Sequence, residues 1–494
     1  MDVSNSNVNE YMSTIKLNNS FCTLNGFTSI DIEKVKKSLT YTNEDVILEK
    51  QMLYSQIKRA GAKRNIPLLM ALRGKFKALG PDQVCWLNKD NEFPTGLIHL
   101  VKESLQGSQY TISDERIKPA PYNILRWHNK PHALRYYQQE AVDVFIKHSR
   151  GVLQLACGAG KTRIAVEIIK QLGVNTLFVV PSSALLTQAY DIFVSSFGEK
   201  NVQKITTLDM KKDKKLKPIR VATIQTLASL NKQGLIKTPL NNVDLFIMDE
   251  AHHSASDSYL DLLNALQPIY FRLNMTATYT RNDSKLMDLQ GMSGEVIYDY
   301  NAIQATKEGY LTPVEFRIIP LPGKPDRNYQ NEYKINYKCK ELLESIKDLV
   351  KNKIPKDEPI LILIDKKEHS GDVIYKYLIE SGITCSYVTG DNTKDEIREA
   401  IEDFNDNKTR ILIGSTVFGE GCDLRTTTHL IMARGGKSEI MVTQAIGRAV
   451  RLSPGKKVAI VYDFNFKYTK YMTKHLTQRV EIYQKQFAGK VVYE

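Results

Sequence analysis

Leu155-Ala156-Cys157-Gly158-Ala159-Gly160-Lys161-Thr162 decides the fold of this 494-residue chain, because it joins an apolar run to a stretch of helical periodicity. Glycines in such a turn let backbone N–H groups approach phosphate oxygens. The lysine reaches the β- and γ-phosphates of a nucleotide, and the threonine hydroxyl ligates magnesium. The general pattern has glycine where Leu155 stands, so a turn of structural use remains an alternative for this stretch alone. We predict nucleotide contacts from Gly158, Ala159, Gly160, Lys161 and Thr162.

A second stretch, Asp249-Glu250-Ala251-His252, follows the apolar run 245–248. Its first carboxylate would lie at the carboxyl end of a strand beside the phosphate loop, where Asp249 and Thr162 can hold magnesium. Glu250 can polarise the attacking water, and His252 can sense the γ-phosphate. An acid pair that ends a strand is usually a solvated strand end, but the phosphate loop makes ATP hydrolysis the better interpretation. The expected cofactors are ATP and Mg²⁺.

Basic side chains are concentrated in three segments of a chain whose net charge is +13. Residues 51–80 hold seven basic side chains and no acid, and residues 211–220 and 451–494 are also basic. The seven are Lys58, Arg59, Lys63, Arg64, Arg73, Lys75 and Lys77. Such clusters indicate a nucleic acid bound through its phosphates, with a solvated surface as the alternative for each cluster alone. We predict that Lys58 and Arg59 contact this nucleic acid.

The composition is that of a globular protein, with 42% hydrophobic and 25% charged residues. The six cysteines are far apart and form no C-x-x-C pair, which argues against a zinc or iron–sulfur site. The polar N-terminus lacks a basic segment followed by an apolar one, and no apolar run reaches about 18 residues. We therefore expect a cytoplasmic protein, in the host cell cytoplasm if viral, that has no membrane partner and acts as a monomer.

Short apolar runs alternate with helical patterns in two series along the chain, one from about residue 150 and one after residue 313. This alternation is typical of parallel sheets covered by helices. Between the two series lies the segment 320–325, which is too rich in proline for the interior of an element. We place a domain boundary between about residues 300 and 325.

Four regions follow from this division of the chain. We predict an accessory domain over 1–125, a first lobe over 126–312, a second lobe over 313–468, and a basic C-terminal helix or tail over 469–494. The expected fold class is α/β, with two tandem parallel-sheet lobes and a small N-terminal α+β domain.

The order of these stretches resembles that of superfamily 2 helicases with an Asp-Glu-Ala-His box, whose motor has two RecA-like lobes. The resemblance covers residues 134–451, and the leucine-starting phosphate loop is similar to that of XPB-type and RecG-like motors. It implies that Leu134-Arg135-Tyr136-Tyr137-Gln138 reads the adenine, with contacts from Arg135 and Gln138. It also implies nucleotide contacts from Gly419, Glu420 and Asp423 in the segment Gly419-Glu420-Gly421-Cys422-Asp423.

The same resemblance implies a set of residues that contact a nucleic-acid strand. They match short motifs of both lobes and are Pro181, Gln188, Thr223, Gln225, Thr276 and Thr278 in the first lobe, and Gly390, Ser415 and Thr416 in the second.

The segment 444–451, Gln-Ala-Ile-Gly-Arg-Ala-Val-Arg, matches the last motif of that family. Arg448 and Arg451 lie three residues apart on a predicted helix, so both can face the ATP and stabilise charge on its γ-phosphate. An ion-pair face on the surface is the alternative for an arginine pair alone. The expected catalytic set is Lys161, Asp249, Glu250, His252, Gln444, Arg448 and Arg451.

Residues 81–102 resemble, over about twenty positions, the small accessory domain of phage helicases of the UvsW type. An unrelated basic folding module is the alternative for this region. The resemblance implies an ATP-dependent DNA helicase or translocase that unwinds or remodels branched DNA, by fork regression or branch migration. Its setting would be phage or viral replication, recombination or repair, and its partners single-stranded and branched duplex DNA.

Other functions remain open at this stage. They are an RNA helicase or transcript-release factor, a double-stranded DNA translocase without strand separation, and a nucleic-acid scaffold with a relic ATP site. The presence of Lys161, Asp249, Glu250 and Arg451 argues against a relic, because such a site would have lost at least one of them.

Overall fold

The computed structural model describes residues 12–122, 125–130, 132–207, 216–250, 265–266, 269–279, 286–415 and 424–494. The chain divides into two compact units. The first comprises Met1–Leu153, Thr162–Pro181 and Ala189–Tyr298, and the second comprises Gln154–Lys161, Ser182–Gln188 and Asp299–Glu494.

A small mixed domain forms the N-terminal part of the first unit. Its strands are β1 (Thr14–Leu17), β2 (Phe21–Asn25), β3 (Thr40–Thr42), β4 (Gln83–Cys85), β5 (Glu92–Pro94) and β6 (Thr111–Asp114). Its helices are α1 (Ser29–Ser38), α2 (Glu44–Ala62), α3 (Ile66–Ala78) and α4 (Ile98–Ser104). Four of the strands form a sheet in the order β5-β2-β1-β6, on which Val35 of α1 and Val101 of α4 pack with Ile15 and Phe93.

Helices α2 and α3 form a helical hairpin, which we call the basic hairpin (residues 44–78). Asn43 and Asn65 begin the two helices, since each side chain accepts a hydrogen bond from a first-turn N–H group. Strands β3 and β4 pair with each other at its base, where Lys50 and Asp82 form an ion pair at 2.7 Å. At 1.5 Å per residue, the 19-residue helix α2 is about 28 Å long.

The first lobe contains a seven-stranded sheet. Its strands are β7 (Arg150–Leu155), β8 (Thr176–Val180), β9 (Val202–Lys204), β10 (Ile219–Thr223), β11 (Leu245–Asp249), β12 (Phe271–Thr276) and β13 (Val296–Tyr300). Its helices are α5 (Tyr136–His148), α6 (Lys161–Leu172), α7 (Ser183–Phe197), α8 (Ile224–Lys232), α9 (Lys237–Leu240) and α10 (Leu286–Ser293). The strand order is β13-β7-β12-β11-β8-β10-β9.

Strands of this sheet that lie between helices are buried on both faces, as all five residues of β8 and of β11 show. Strands β8, β10, β11 and β12 pair in parallel. The N–H group of Arg272 donates to the carbonyl of Ser149 at 3.1 Å, so β12 and β7 begin at the same edge of the sheet. They consequently end at the same edge, which is where parallel sheets of this kind carry their ligands.

The second unit contains a second seven-stranded sheet. Its strands are β14 (Val314–Pro322), β15 (Ile360–Ile364), β16 (Ser386–Val388), β17 (Ile411–Gly414), β18 (His429–Ala433), β19 (Ala459–Lys467) and β20 (Lys490–Tyr493). The helices are α11 (Ala302–Lys307), α12 (Tyr329–Asn336), α13 (Lys340–Asp348), α14 (Asp372–Glu380), α15 (Lys394–Asn405), α16 (Glu439–Ala449) and α17 (Tyr471–Phe487). The order is β16-β17-β15-β18-β19-β14-β20, and the pairs are parallel.

The prediction that the proline-rich segment 320–325 is unsuited to an element is wrong for its first part, because β14 continues to Pro322 in register with β19. The carbonyl of Ile318 accepts a hydrogen bond from the N–H group of Glu494, so even-numbered residues of β14 direct their backbone groups toward β20. The nitrogens of Pro320 and Pro322 therefore point past the end of β20. No ladder hydrogen bond is lost there.

Residues 469–494, which the sequence sets apart as a helix or tail, contribute α17 and β20 to this second sheet. Arg479 of α17 forms a bidentate ion pair with Asp463 of β19 at 2.7 and 2.9 Å, and both side chains are almost fully buried. Phe464 and Phe466 are also buried in the core of this unit.

Buried contacts within the first unit join the N-terminal domain to the first lobe. Asp288 of α10 is 4% exposed and accepts hydrogen bonds from Tyr41 Oη at 2.8 Å and from Trp86 Nε1 at 3.0 Å. Tyr41 lies on β3 and Trp86 directly follows β4, so both flanks of the hairpin base converge on one carboxylate. A Cβ atom on Gly96 would lie 2.6 Å from the carbonyl oxygen of Gly291, so only glycine allows this approach.

The predicted fold class, α/β with two parallel-sheet lobes and a small α+β domain, is confirmed by these sheets. In the part of the chain that the structure describes, no helix is long and apolar enough to cross a membrane.

Candidate ATP site and nucleic-acid interface

The phosphate loop follows β7 and leads into α6, whose first residue is Lys161. Gly158 and Gly160 have φ angles of 84° and 85°, in the left-handed region that favours glycine. The N–H group of Ala159 donates to the carbonyl of Ala156 at 3.0 Å, which closes the turn. The loop therefore ends on the N-terminus of a twelve-residue helix, where backbone N–H groups favour an anion. This geometry fits the phosphates of ATP.

Asp249 and Glu250 stand at the carboxyl end of β11. Asp249 is the last residue of the strand and is 7% exposed. Glu250 has a φ angle of 51°, which is uncommon for a residue with a side chain, and its N–H group donates to Asp249 Oδ1 at 3.0 Å. One strand, β12, separates β11 from β7 in the sheet. The acid pair therefore lies at the sheet edge where β7 ends, and carboxylate and hydroxyl oxygens are the ligands that Mg²⁺ prefers.

Arg135 and Gln138, the predicted adenine contacts, lie at the start of α5. Gln138 Oε1 accepts a hydrogen bond from the Arg135 N–H group at 3.0 Å, which caps the helix. Arg135 also donates from its guanidinium to Tyr137 Oη at 3.2 Å. The structure brings the two predicted residues together but engages the Gln138 oxygen in the cap, so its contact with adenine stays a prediction.

Residues 444–449 of the predicted segment form the second half of α16 in the second unit, which also includes Gln154–Lys161. The prediction that Arg448 and Arg451 share one helix is wrong for Arg451, because α16 ends at Ala449. Arg448 is 9% exposed, and Gln444 and Arg451 are half-buried. A Cβ atom on Gly447 would lie 2.6 Å from the Cβ atom of Cys157 in the phosphate loop. Glycine at 447 thus lets this helix approach the loop closely.

Lys456 belongs to the site region, although no sequence motif marks it. Its ammonium group donates to the carbonyls of Ala449 and of Arg451, the latter at 3.0 Å, and thereby caps the end of α16. Burial, with the nearby charge of Arg451, lowers the pKa of Lys456 to about 8. The carbonyl of Arg451 also accepts from Thr312 Oγ1 at 3.1 Å. The backbone of Arg451 is therefore held by two side chains from outside the helix.

Thr276 and Thr278, predicted to contact a strand, are 0% and 3% exposed. Thr276 Oγ1 donates to the carbonyl of Thr278 at 2.9 Å, and the N–H group of Thr278 returns to the Thr276 hydroxyl at 3.3 Å. In the described structure both residues shape a buried turn after β12. Their burial does not favour direct contact with a nucleic acid.

Three of the other predicted strand contacts in the first unit lie together. Gln225 is exposed and donates from Nε2 to the carbonyl of Pro181 at 2.9 Å, which joins two separate motifs. Thr223 caps α8 by accepting from the N–H group of Thr226 at 3.1 Å. Gln188, which belongs to the second unit, is exposed on α7.

In the second sheet, Gly390 and Ser415 follow the ends of two adjacent strands. β16 pairs with β17 so that Val388 lies opposite Gly414. Gly390 is exposed, and a Cβ atom there would meet no atom within 4 Å. The two positions therefore lie at the same sheet edge. Four further predicted residues and the histidine of the acidic box lie outside the described residues, namely Thr416, Gly419, Glu420, Asp423 and His252.

The three basic segments differ in their exposure. Lys58 and Arg59 are exposed on α2. Arg220, at the end of the second segment, is 3% exposed and donates to backbone carbonyls, including that of Pro239 at 2.9 Å. Arg479, in the third segment, is in a buried ion pair. Residues 208–215 lie outside the described residues. All seven basic side chains among residues 51–78 of the basic hairpin are exposed and no acid lies among them, so we take the hairpin as the candidate nucleic-acid surface.

Two family models match the chain. One, described as type III restriction enzyme, res subunit, matches residues 131–281. The other, described as helicase conserved C-terminal domain, matches residues 340–453. The first match is to a restriction-enzyme model, so the Asp-Glu-Ala-His subtype expected from 249–252 is not confirmed.

Similar proteins include helicases and translocases. The chain is 25% identical over 387 residues to the ATP-dependent DNA helicase uvsW of Enterobacteria phage T4, covering 72% of this chain and 75% of that protein. It is 26% identical over 360 residues to the DNA 3'-5' translocase XPB2 of Sulfurisphaera tokodaii, covering 64% and 78%. The solved structure of S. cerevisiae Dbp5 bound to RNA and ADP BeF3 aligns with a TM-score of 0.53 at 17% identity, over 72% of this chain and 89% of that one. This last likeness supports the tandem-lobe fold.

Proposed function

We propose that this chain, an ATP-hydrolysing helicase enzyme of superfamily 2, unwinds or remodels branched DNA. The observation that carries the proposal is the basic hairpin. Its residues 51–78 hold seven basic side chains and no acid, and its base is fastened to the first lobe through Asp288. A charged surface outside the motor and fixed to it can hold a duplex arm while the lobes act on a strand.

The geometry of the phosphate loop and of the acid pair at the end of β11 supports an ATP site. When bound with Mg²⁺, ATP would supply the free energy of its hydrolysis by water to ADP and phosphate. Lys161 would hold the phosphates at the N-terminus of α6, and Thr162 and Asp249 would hold the metal. The Glu250 carboxylate would accept the proton of the attacking water. Arg448 of α16 and Arg451, two residues past the end of that helix, would neutralise charge that develops on the phosphate. Gln444 of α16 completes the proposed catalytic set.

The strand would cross the carboxyl edges of the sheets. In the first lobe the strand would contact Pro181, Thr223 and Gln225. The hydrogen bond from Gln225 Nε2 to the carbonyl of Pro181 holds two of these positions together and supports a common surface. Gln188 would extend it. In the second lobe Gly390 and Ser415, with Thr416, would approach the sugar–phosphate backbone, and the exposure of Gly390 at the sheet edge supports this.

The named activities of relatives support a DNA substrate. The T4 relative is a DNA helicase and the Sulfurisphaera relative is a DNA translocase. Similarity to a phage protein over most of the chain supports a role in phage or viral replication, recombination or repair, with single-stranded and branched DNA as partners. Action on RNA, and translocation on duplex DNA without strand separation, are the outcomes that would displace this proposal.

The test is the ATPase rate without nucleic acid and with single-stranded DNA, linear duplex, a fork, a four-way junction and RNA. We expect the largest stimulation with the fork and the junction. Lys161→Ala, which removes the phosphate-binding ammonium, should show no stimulated rate with any of them. Equal stimulation by linear duplex and branched DNA would favour translocation without strand separation, and stimulation by RNA alone would contradict the proposal.

The role of the basic hairpin needs a charge-reversal variant with a matched control. Lys58→Glu with Arg59→Glu should weaken junction binding and lower the magnitude of its log–log salt slope by about 2. Lys36→Glu with Lys37→Glu makes the same charge change at adjacent exposed positions on α1 of the same domain. Equal effects of the two pairs would assign the hairpin charges to bulk electrostatics and contradict the proposed contact.

A further inference from the structure

The basic hairpin exposes large apolar side chains that its small core does not require. Between its helices, Leu53, Ala60 and Leu72 are buried. Six other large apolar residues are between 47% and 71% exposed, namely Leu48, Met52, Tyr54, Ile66, Leu68 and Met70. Exposed apolar side chains gathered on one element mark a contact surface more often than chance. In this element they are mixed with the basic side chains.

Helical spacing aligns the two kinds of side chain. On α3, Ile66, Met70, Arg73 and Lys77 are spaced by four, three and four residues, so they form one stripe. Each of these residues is exposed. Leu69, Leu72 and Phe76 follow a different stripe, which packs against α2. The exposed stripe therefore carries apolar side chains near the turn of the hairpin and basic side chains toward its base.

The turn itself concentrates both properties. Lys63 and Arg64 lie in the turn, and both are exposed. Ile66 is 56% exposed at the first position of α3, and Met70, one turn later, is 71% exposed. The end of the hairpin farthest from β3 and β4 therefore exposes two apolar side chains, Ile66 and Met70, beside the basic turn.

The positive charge of the hairpin indicates a polyanionic partner. The hairpin carries eight basic and three acidic side chains, and all three acids precede residue 51, so the rest of it attracts a polyanion. An apolar side chain gains from contact with a base only where the base is accessible. Proteins that unstack DNA insert side chains such as isoleucine, leucine and methionine between base steps while basic residues hold the phosphates. A branch point, where stacking is already interrupted, is the DNA site where this costs least.

We propose that Ile66 and Met70 form a wedge that contacts unstacked bases at the branch point of DNA, while the neighbouring basic residues hold the flanking phosphates. This rests on the proposed function, because it assumes that branched DNA is the substrate. It goes further by separating two tasks within the hairpin. The basic residues supply affinity, and the apolar pair opens the branch.

The wedge is tested without ATP, with 2-aminopurine placed at the branch of a fork and, separately, in the middle of a linear duplex. Unstacking raises the fluorescence of this base. We expect the wild-type protein to raise it at the branch and not in the linear duplex. Ile66→Ala with Met70→Ala should reduce the rise by more than about threefold, while affinity for the fork falls less than about threefold.

Ile30→Ala with Met12→Ala is the matched control. These residues lie in the same domain outside the hairpin and are 70% and 65% exposed. The control should keep the full fluorescence rise, and far-ultraviolet circular dichroism should show that the helices of both variants are intact. An undiminished rise in the Ile66 and Met70 variant would overturn the wedge.

The two proposals fail in different ways. If branched DNA stimulates the ATPase but the wild-type protein produces no rise at the branch, the wedge is overturned and the proposed function stands. If branched DNA neither binds in preference to linear duplex nor stimulates the ATPase, the proposed function fails and the wedge fails with it.

Discussion

Among single residues, Glu250 is held in a strained conformation at the end of β11. Its φ angle of 51° lies in the left-handed region, which costs a residue with a side chain on the order of 1 kcal/mol. The hydrogen bond from its N–H group to Asp249 Oδ1 helps to hold that conformation. Strain of this kind persists where the surrounding structure fixes the backbone, and here it sets the direction of a carboxylate.

Replacing Glu250 with glutamine keeps the size of the side chain and removes the charge that would accept a proton. We expect Glu250→Gln to lower the ATP turnover number by about 100-fold or more and to leave the dissociation constant for ATP within about threefold of wild type. Steady-state ATPase rates and titration with a fluorescent ATP analogue measure the two quantities. Glu295→Gln, at an exposed acid of the same lobe, is the control, and normal turnover of Glu250→Gln would refute the assigned role.

Lys456 predicts a pH dependence of stability. Its pKa in the folded protein is about 8, below its usual value of 10.5, so the unfolded chain binds more protons between these values. Stability therefore rises with pH across this window, by about 2 kcal/mol between pH 7.5 and 9.5. The rise should be missing in Lys456→Met. Urea unfolding midpoints of both proteins at the two pH values measure it, and parallel changes in the two proteins would contradict it.

Among the elements, α17 is tied to the second sheet by a charge pair removed from water. The guanidinium of Arg479 meets both oxygens of Asp463, which also accepts from Tyr483 Oη at 2.7 Å. Removing one charge of such a pair leaves the other buried without compensation. The last helix of the chain therefore depends on a single carboxylate in β19.

Asp463→Asn should lower the free energy of unfolding of the second unit by about 3–5 kcal/mol, because Arg479 would remain charged and buried. Glu344→Gln, which breaks the exposed i,i+4 pair with Lys340, should cost less than about 0.5 kcal/mol. Urea titration followed by circular dichroism compares them. Equal midpoints for the two variants would show that the buried pair contributes little.

Much of the element pattern could be predicted from local sequence. The strands at 176–180, 219–223 and 360–364 follow directly from short apolar runs bounded by turns. β14 could not be predicted in this way, because the tolerance for Pro320 depends on where β20 ends, which local sequence does not contain. A proline is visible in the local sequence. Whether it removes a hydrogen bond depends on a neighbouring strand, here β20, that lies about 170 residues further along the chain.

The residues of the candidate site also differ in whether local sequence could predict them. The phosphate loop and the acid pair are contiguous in sequence, and their chemistry could be predicted from residue type and spacing. Lys456 and Asp288 act through contacts with distant segments, and nothing in their immediate neighbours marks them. For Thr276 and Thr278 the motif position is visible in the sequence, but their burial in a turn is not.

At the scale of the whole molecule, close packing at Gly96 makes the N-terminal domain part of the first unit. Any side chain at this position would enter the carbonyl groups of Gln290 and Gly291 in α10. Backbone atoms cannot move aside as a flexible side chain does, so the domain would have to shift. The contact between Gly96 and α10, which helps to orient the basic hairpin, is therefore possible only because residue 96 has no Cβ atom.

Gly96→Ala should therefore loosen the N-terminal domain from the first lobe. We expect hydrogen exchange in 286–293 to rise and the stimulation of the ATPase by branched DNA to fall by about tenfold, as the hairpin loses its fixed orientation. Gly74→Ala is the control, since a Cβ atom at 74 meets nothing within 4 Å. Unchanged exchange and stimulation in Gly96→Ala would show that the domain does not need this contact.

The convergence of Tyr41 and Trp86 on Asp288 bears on how such proteins can be recombined. A graft of residues 1–125 onto another motor would leave behind the Asp288 carboxylate, to which both flanks of the base of the basic hairpin donate hydrogen bonds. The transferable cassette is discontinuous, because it must bring residues 286–293 along with the N-terminal domain. Tyr41, Trp86 and Asp288 would then be transferred together. A hybrid that separates them would carry an N-terminal domain without the carboxylate that fastens it to the motor.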